Sequence, residues 1–340
     1  MNYLLTGGRG LVASLFAKRL HAEGHHVTII DDGNDSRHYF NSFPGPIYYD
    51  LRLERFTPRV LADIVSNCDR VFHAAASTGI PYSAEEPLDD WQRNVDGTIA
   101  LLEALRKTPK PTVVLSSVKP YGLERLGEGG KDLGADSWPP WADAPIGVNE
   151  DFPLEPDEPY AASKAAQSMI CMAYARSYGI PLVTYRCSNL FGNAAPHGAR
   201  HGWLTAFCIR AALGWPIEIQ GDGSQRRDML FASDVAEAAL LGWEHIEKLS
   251  GKVFNLGGGP ANVISVAGAY DILRQFGSKS PSRQGPGRKH EDQLFVTNTF
   301  ALLVETGWQP KVSTPIGMRV IYDWARENAA RLAQIYAGEK

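Results

Sequence analysis

No apolar run in this chain approaches the roughly 20 residues a helix needs to cross a bilayer, so no membrane partner is expected. Positive charge is not in excess either. The 34 Lys and Arg stand against 38 Asp and Glu, a net charge of −4. Such a balance supplies no basic field for nucleic acid or an anionic lipid surface. The one basic cluster, Arg283 to Lys289, is short and glycine-rich. Cysteine is scarce. The four present (Cys68, Cys171, Cys187, Cys208) lie far apart without CxxC spacing, which reads as reduced thiols of a cytoplasmic protein. No His, Cys and Asp residues fall at metal-ligand spacing, so no metal is expected. Internal repeats and low-complexity tails are missing, and the opening "NYLLTGG" reads as strand and turn with no signal-peptide pattern before it.

What is present is ordinary globular material: 340 residues, 44% hydrophobic and 21% charged, enough for one large domain or two intimate ones. The start is informative. Tyr3 to Thr6 is a short apolar strand that runs into Gly7-Gly8-Arg9-Gly10. Leu11, Leu15, Phe16 and Leu20 then recur with helical period, Gly24 closes the helix, and Val27 to Ile30 is a buried-strand run ending in Asp31-Asp32. Gly7 and Gly10 let the backbone turn tightly against a pyrophosphate, whose charge the following helix N-terminus favours. Ala13 is the third small position, where the helix packs on the strand. Asp31 is placed to accept hydrogen bonds from an adenosine ribose. A carboxylate there, with no arginine after it, repels a 2′-phosphate, so NAD is favoured over NADP.

The alternation continues. Arg70 to Ala76 ("RVFHAAA") and Thr112 to Ser117 ("TVVLSS") read as strands, and Trp91 to Lys107 between them as a helix with Asn94 near its start. Strands alternating with helices imply an α/β fold with a doubly wound parallel sheet of the Rossmann type, whose ligands sit at the strand carboxyl ends. Gly10, Asp31, Ala75 and Ser117 all fall at or just beyond such ends. One further pattern is "EPYAASKAAQ", with Tyr160 and Lys164 on one helix face. Alone it is either a surface pair or a proton-transfer device.

Taken together, "TGGRGLVA", "YYDLR", "HAAA", "NVDGT", "SSVKPYG", "YAASK", "RCSNLFG", "GDGSQRRDMLFASDVAEA", "FNLGGG" and "TGWQPKV" occur in family order from residue 3 to about residue 313. In them the chain resembles the extended short-chain dehydrogenase/reductase family of NAD-dependent nucleotide-sugar epimerases and dehydratases. The resemblance implies a Rossmann domain over 1–187, to which the chain returns near 228–258. It implies a smaller, interleaved nucleotide-sugar domain mainly over 188–340, and a homodimer paired through the helices Trp91–Lys107 and Tyr160–Tyr178. It assigns Tyr160 as acid/base on a sugar hydroxyl, Lys164 as partner of the nicotinamide ribose, and Ser117 as donor to the reacting oxygen. An ammonium and a positive nicotinamide beside a phenol both favour phenolate, so the pKa of Tyr160 is expected to move down from near 10. The cofactor contacts implied are Gly7, Gly10, Leu11, Val12, Asp31, Asp32, Asp50, Leu51, Ala74, Ala75, Ala76, Asn94, Ser116, Tyr160 and Lys164. The substrate contacts implied are Thr78, Ser117, Asn189, Trp203, Arg227 and Arg288, the two arginines clamping the nucleotide diphosphate. Arg226 reads as a surface arginine.

Family dehydratases carry an acid just after the Ser/Thr, where this chain has Val118 and Lys119. A valine relays no proton, which disfavours elimination and leaves chemistry needing tyrosine, serine and a tightly held NAD. Epimerisation through a transient keto-sugar is such a reaction, with hydride removed and then returned. Lys119, counted here among the catalytic residues, is similar to the lysine of the CDP-paratose 2-epimerase (tyvelose epimerase) group. "HGWLTAFC", "GRKHEDQLFVTN" and "YDWARE" resemble that group too, whereas Pro120 and Asn189 depart from it. A UDP-hexose 4-epimerase, a net NAD-dependent oxidoreductase or dehydratase, and a catalytically silent NAD-binding scaffold remain as alternatives. The stretch Gly127 to Asn149, with "SWPPWADAP", reads as either a flap over the sugar or a surface elaboration.

Overall fold

The computed structural model describes residues 1–33, 41–121, 147–194, 202–287 and 294–337. Seven strands form one sheet: β1 (Asn2–Thr6), β2 (His26–Asp31), β3 (Ile47–Asp50), β4 (Arg70–His73), β5 (Thr112–Ser117), β6 (Leu182–Cys187) and β10 (Val253–Leu256). Their spatial order is β10-β6-β5-β4-β1-β2-β3, and every pairing is parallel. The chain therefore winds outward in both directions from β1 and β4, and the crevice beyond their carboxyl ends is the switch point of the sheet. The strand expected to reach Ala76 stops at His73. Ala74, Ala75 and Ala76 lie beyond it, and Ala74 N still reaches Thr6 O at 3.1 Å.

Both faces of the sheet are covered, so its strands are apolar on both sides. Along β1, Tyr3 and Leu5 pack on one face with Phe16, Phe72, Tyr185 and Trp243, while Leu4 packs on the other with Ile30, Leu101 and Val114. Trp243 comes from the helix Ala232–Glu244, and its ring stacks on Phe16 at 5.7 Å.

A second set of strands lies beyond residue 188. β7 (Asn189–Phe191) and β13 (Leu294–Phe295) run parallel to β9 (Arg226–Phe231), and β11 (Val263–Ser265) runs antiparallel to it. β8 (Ile217–Gln220) and β12 (Ser282–Gly285) pair separately. Phe191, Phe207, Phe231, Ile264, Met318 and Ile321 form a core of their own between these strands and the helices Trp203–Leu213 and Thr314–Glu327. The helix Ala232–Glu244 follows β9, and the chain then returns to the first sheet as β10. Among the described residues no helix is long and apolar enough to cross a membrane.

Candidate active site

The glycine turn is built against β4. Gly7 has φ +65°, and a Cβ on it would lie 2.7 Å from the Cα of Ala75, so a side chain is excluded by both strain and space. Gly7 N donates to Ile30 O at 2.7 Å and Gly10 N to Gly7 O at 2.9 Å, which closes the turn. Gly10 caps the helix Leu11–Ala22 without a side chain, so nothing of its own occupies the N–H groups of the first turn at Leu11 and Val12. Such an end suits a diphosphate.

Asp31, buried at the end of β2, accepts from Arg9 N at 3.0 Å and from Gly33 N at 3.2 Å. A carboxylate accepts hydrogen bonds and donates none when ionised, which is the chemistry that ribose hydroxyl groups require. The Arg9 side chain runs to β3, where it pairs with Asp50 and lies 4.5 Å over the Tyr48 ring. Leu51 follows, exposed. Asp32 pairs with Arg93 at 2.6 Å, tying the end of β2 to the helical segment Gln92–Asp96.

Asn94 sits in a π-helical widening, Gln92–Asp96, that leads into the helix Gly97–Lys107. Its side chain faces protein: Oδ1 accepts from Ser77 N at 2.8 Å and Nδ2 donates to Ser163 Oγ at 2.9 Å. It thus holds the loop after β4 against the helix that carries Tyr160 and Lys164.

That helix is Pro159–Tyr178, started by Pro159 in its first turn, where the missing N–H costs nothing. Tyr160 and Lys164 are buried one turn apart, opposite the end of β5. Ser117 Oγ hydrogen-bonds the Tyr160 phenol and accepts from Lys119 N at 3.1 Å, while Ser116 Oγ donates to Lys164 O at 3.0 Å. Burial pushes the Tyr160 phenol up; the Ser117 hydrogen bond pulls against this without overcoming it. This differs from the lowering expected above. The reason is desolvation: removing water from a phenolate outweighs what the surrounding side chains return. Burial likewise pushes Lys164 down, to about 8, against the charge of Asp90.

Behind Lys164 runs a buried chain of hydrogen bonds. Lys164 Nζ donates to Gln167 Oε1 at 2.9 Å, and Gln167 Nε2 donates to Thr98 Oγ1 at 3.1 Å. Thr98 donates onward to Asn94 O at 2.7 Å, which leaves its oxygen to receive His73 Nε2 at 2.9 Å. His73 Nδ1 then accepts from Thr6 Oγ1 at 2.6 Å. Burial, then the Lys164 charge, pushes His73 down to about 3, so it stays neutral.

On the substrate side, Val118 is buried and Lys119 partly exposed. Thr78 is exposed beyond β4, and Asn189 opens β7. Trp203 begins its helix with its ring edge-on to Phe207 at 5.4 Å, and Arg227 lies on β9. Arg288, His201 and most of the Gly127 to Asn149 stretch lie outside the described residues. The loop carrying Val118 and Lys119 is braced from behind. Tyr121 donates to Asn255 Oδ1 at 2.7 Å and receives Arg186 at 2.9 Å.

Several of these residues escape sequence reading. Arg186, Gln167, His73 and Asp90 are polar types that patterning places outside a core. Asp90 did carry a signal, since it precedes Asn94 by one helical turn. Among the described residues no group of His, Cys, Asp and Glu could hold a metal ion.

Residues 3–257 match the NAD dependent epimerase/dehydratase family, and the chain belongs to it; the cofactor of this family is NAD. The chain is 28% identical to CDP-paratose 2-epimerase of Salmonella typhi, over 95% of this chain and 99% of the relative. It is also 28% identical to dTDP-glucose 4,6-dehydratase of Streptomyces niveus, over 97% and 94%. Its fold is similar to that of UDP-glucose 4-epimerase from Thermotoga maritima, crystallised with UDP-glucose, at 25% identity and a TM-score of 0.82 over 97% and 100% of the chains.

Proposed function

We propose that this chain is an epimerase of a nucleotide diphosphate sugar, working through a transient keto-sugar. Bound NAD supplies the hydride acceptor, which also returns the hydride, and a positive charge beside the phenol. The chain's own residues do the rest. The turn at Gly7 and Gly10 presents the open N–H groups of Leu11 and Val12 to the diphosphate, and Asp31 receives the ribose. With NAD in place its charge would oppose the raised value that burial imposes on Tyr160, Lys164 would hold the nicotinamide ribose, and Tyr160 Oη would take the proton of the sugar hydroxyl and later give it back. Ser117 donates to the reacting oxygen. Thr78, Asn189, Trp203, Arg227 and Arg288 are proposed to hold the nucleotide sugar.

The observation that carries epimerisation over elimination is the pair that follows Ser117. Val118 is buried in an apolar cluster with Tyr121 and Phe295, and Lys119 brings an amine where elimination needs an acid. The likeness to a CDP-paratose 2-epimerase over nearly the whole chain favours a CDP-sugar inverted at C2. The fold likeness to a UDP-glucose 4-epimerase favours a UDP-hexose as the second reading. A homodimer in the cytoplasm completes the proposal. Leu88, Trp91, Met169 and Tyr178 are exposed on or beside the two helices expected to pair, and all four cysteines are buried and free.

Incubation with CDP-, UDP-, GDP- and dTDP-sugars, followed by the anomeric proton signals, tests the reading. One sugar should convert to its epimer with no unsaturated or deoxy product and no added NAD. A deoxy-keto product from every active sugar would replace epimerase with dehydratase.

A further inference from the structure

Helix Pro87–Trp91 carries two adjacent acids with opposite surroundings. Asp89 is met by Arg52 at 2.6 Å, by Arg93 at 2.6 Å and by the Tyr82 hydroxyl at 2.7 Å. Asp90 is wholly buried. Its Oδ2 accepts from Ser163 Oγ at 2.6 Å, and its Oδ1 has no hydrogen-bond partner. A buried carboxylate with an orphaned oxygen is costly unless an opposite charge stands near it. Ser163 immediately precedes Lys164, on a helix that packs against Pro87–Trp91. Lys164 has the matching problem, since its ammonium is buried and its hydrogen-bond partner, Gln167, is uncharged.

We propose that Asp90 is the buried counter-ion of Lys164 and a positioning residue for the Tyr160–Lys164 pair, held in place by Ser163 and Asn94. Its charge keeps the lysine in the ammonium form at working pH. The proposal rests on reading Tyr160 and Lys164 as the acid/base pair. Asp90 stands foremost among the charges that raise the pKa of Lys164, and it pushes Tyr160 up as well. The other titratable groups facing the pair are Cys171 on the same helix, Cys187 on β6, His73 on β4 and Glu158 ahead of the helix. Burial pushes both thiols up to about 12 and the imidazole down to about 3, so these three carry no charge near neutrality. Asp89 is already paired with Arg52 and Arg93, and Arg93 also holds Asp32.

The test is Asp90→Asn in the full-length holoenzyme. The titration of Lys164 is followed through its lysine ε-carbon NMR signal, assigned with Lys164→Met. Neutralising Asp90 should lower that midpoint by about one pH unit or more, the shift typical of losing a nearby opposite charge. Because Asp90 raises both partners, both limbs of the pH–activity profile should move to lower pH together. A midpoint and profile that stay in place while turnover falls would overturn the proposal. If Asp90→Asn does not fold, Lys164→Met carries the test, because it strands the carboxylate. The double variant Lys164→Met/Asp90→Asn should then melt above Lys164→Met, and equal or lower melting overturns the proposal. The lysine signal is read without turnover. Failure of the counter-ion therefore shows as an unmoved midpoint, and failure of the catalytic reading shows as undiminished turnover in Tyr160→Phe.

Discussion

Ser117 Oγ, beside the Tyr160 phenol, accepts the Lys119 backbone N–H at 3.1 Å and so keeps its single hydroxyl proton to donate. The loop that carries the unusual Val118-Lys119 pair is thereby also the device that aims Ser117. A substitution at Lys119 can remove the side chain while keeping this backbone hydrogen bond.

Tyr160→Phe keeps the ring and removes the proton carrier. Turnover should fall by about 10²- to 10⁴-fold, the usual cost of losing a general acid/base, while bound NAD persists through gel filtration. Turnover within threefold of the parent protein would reject the assigned role.

Lys119→Met should slow epimerisation about ten- to hundredfold, as expected when a charged hydrogen bond worth roughly 1.5–3 kcal/mol is lost. It should yield no deoxy or unsaturated sugar. With deuterium at the reacting carbon, the label should return to that carbon, since the hydride stays with the cofactor. Label lost to solvent together with an unchanged rate in this variant would refute both the return step and the role of Lys119.

The nucleotide released on denaturing the purified protein should be NAD. Asp31 already receives Arg9 N and Gly33 N, and a 2′-phosphate would set a second anion against this buried carboxylate. Mass spectrometry of the supernatant decides; a dominant NADP signal sinks the assignment.

Gly7→Ala should lower the melting temperature and the NAD retained. The new methyl would meet the backbone of Ala75 at 2.7 Å on a residue with φ +65°. The loss should be about 1 kcal/mol or more. A variant that melts and retains NAD like its parent would show that the approach of the turn after β1 to Ala75 is looser than its geometry.

His73 predicts a pH dependence of stability. Folded, it is pushed from 6.5 down to about 3; unfolded, it takes a proton near 6.5. The stability it contributes is fully present above 6.5 and is lost as pH falls from there toward 3, because the unfolded chain binds the extra proton. The slope is about 1.4 kcal/mol per pH unit for one proton. Subtracting the denaturation profile of His73→Gln from that of the parent isolates the effect from other acids. A difference that stays flat below 6.5 would mean the imidazole is not held neutral.

Much of this protein was legible from its residues. The glycine turn, the acid after β2, the alternating apolar runs and the Tyr160–Lys164 spacing are local, and local steric and periodic constraints decide them before any tertiary contact forms. These placed the parallel sheet and marked its strand ends as the place of the proposed cofactor site. Burial and partner choice are not local. Asp89 and Asp90 are the same residue type in adjacent positions of one short helix, yet one meets two arginines and the other lies buried against Ser163. Asn94 is spent on Ser77 and Ser163, and His73 is caught between Thr6 and Thr98, across separations that no spacing rule connects. The sign of the Tyr160 shift belongs to the same class. Sequence shows the ammonium expected to lower it, but desolvation depends on how much water the packed helices remove, and only the assembled fold determines that.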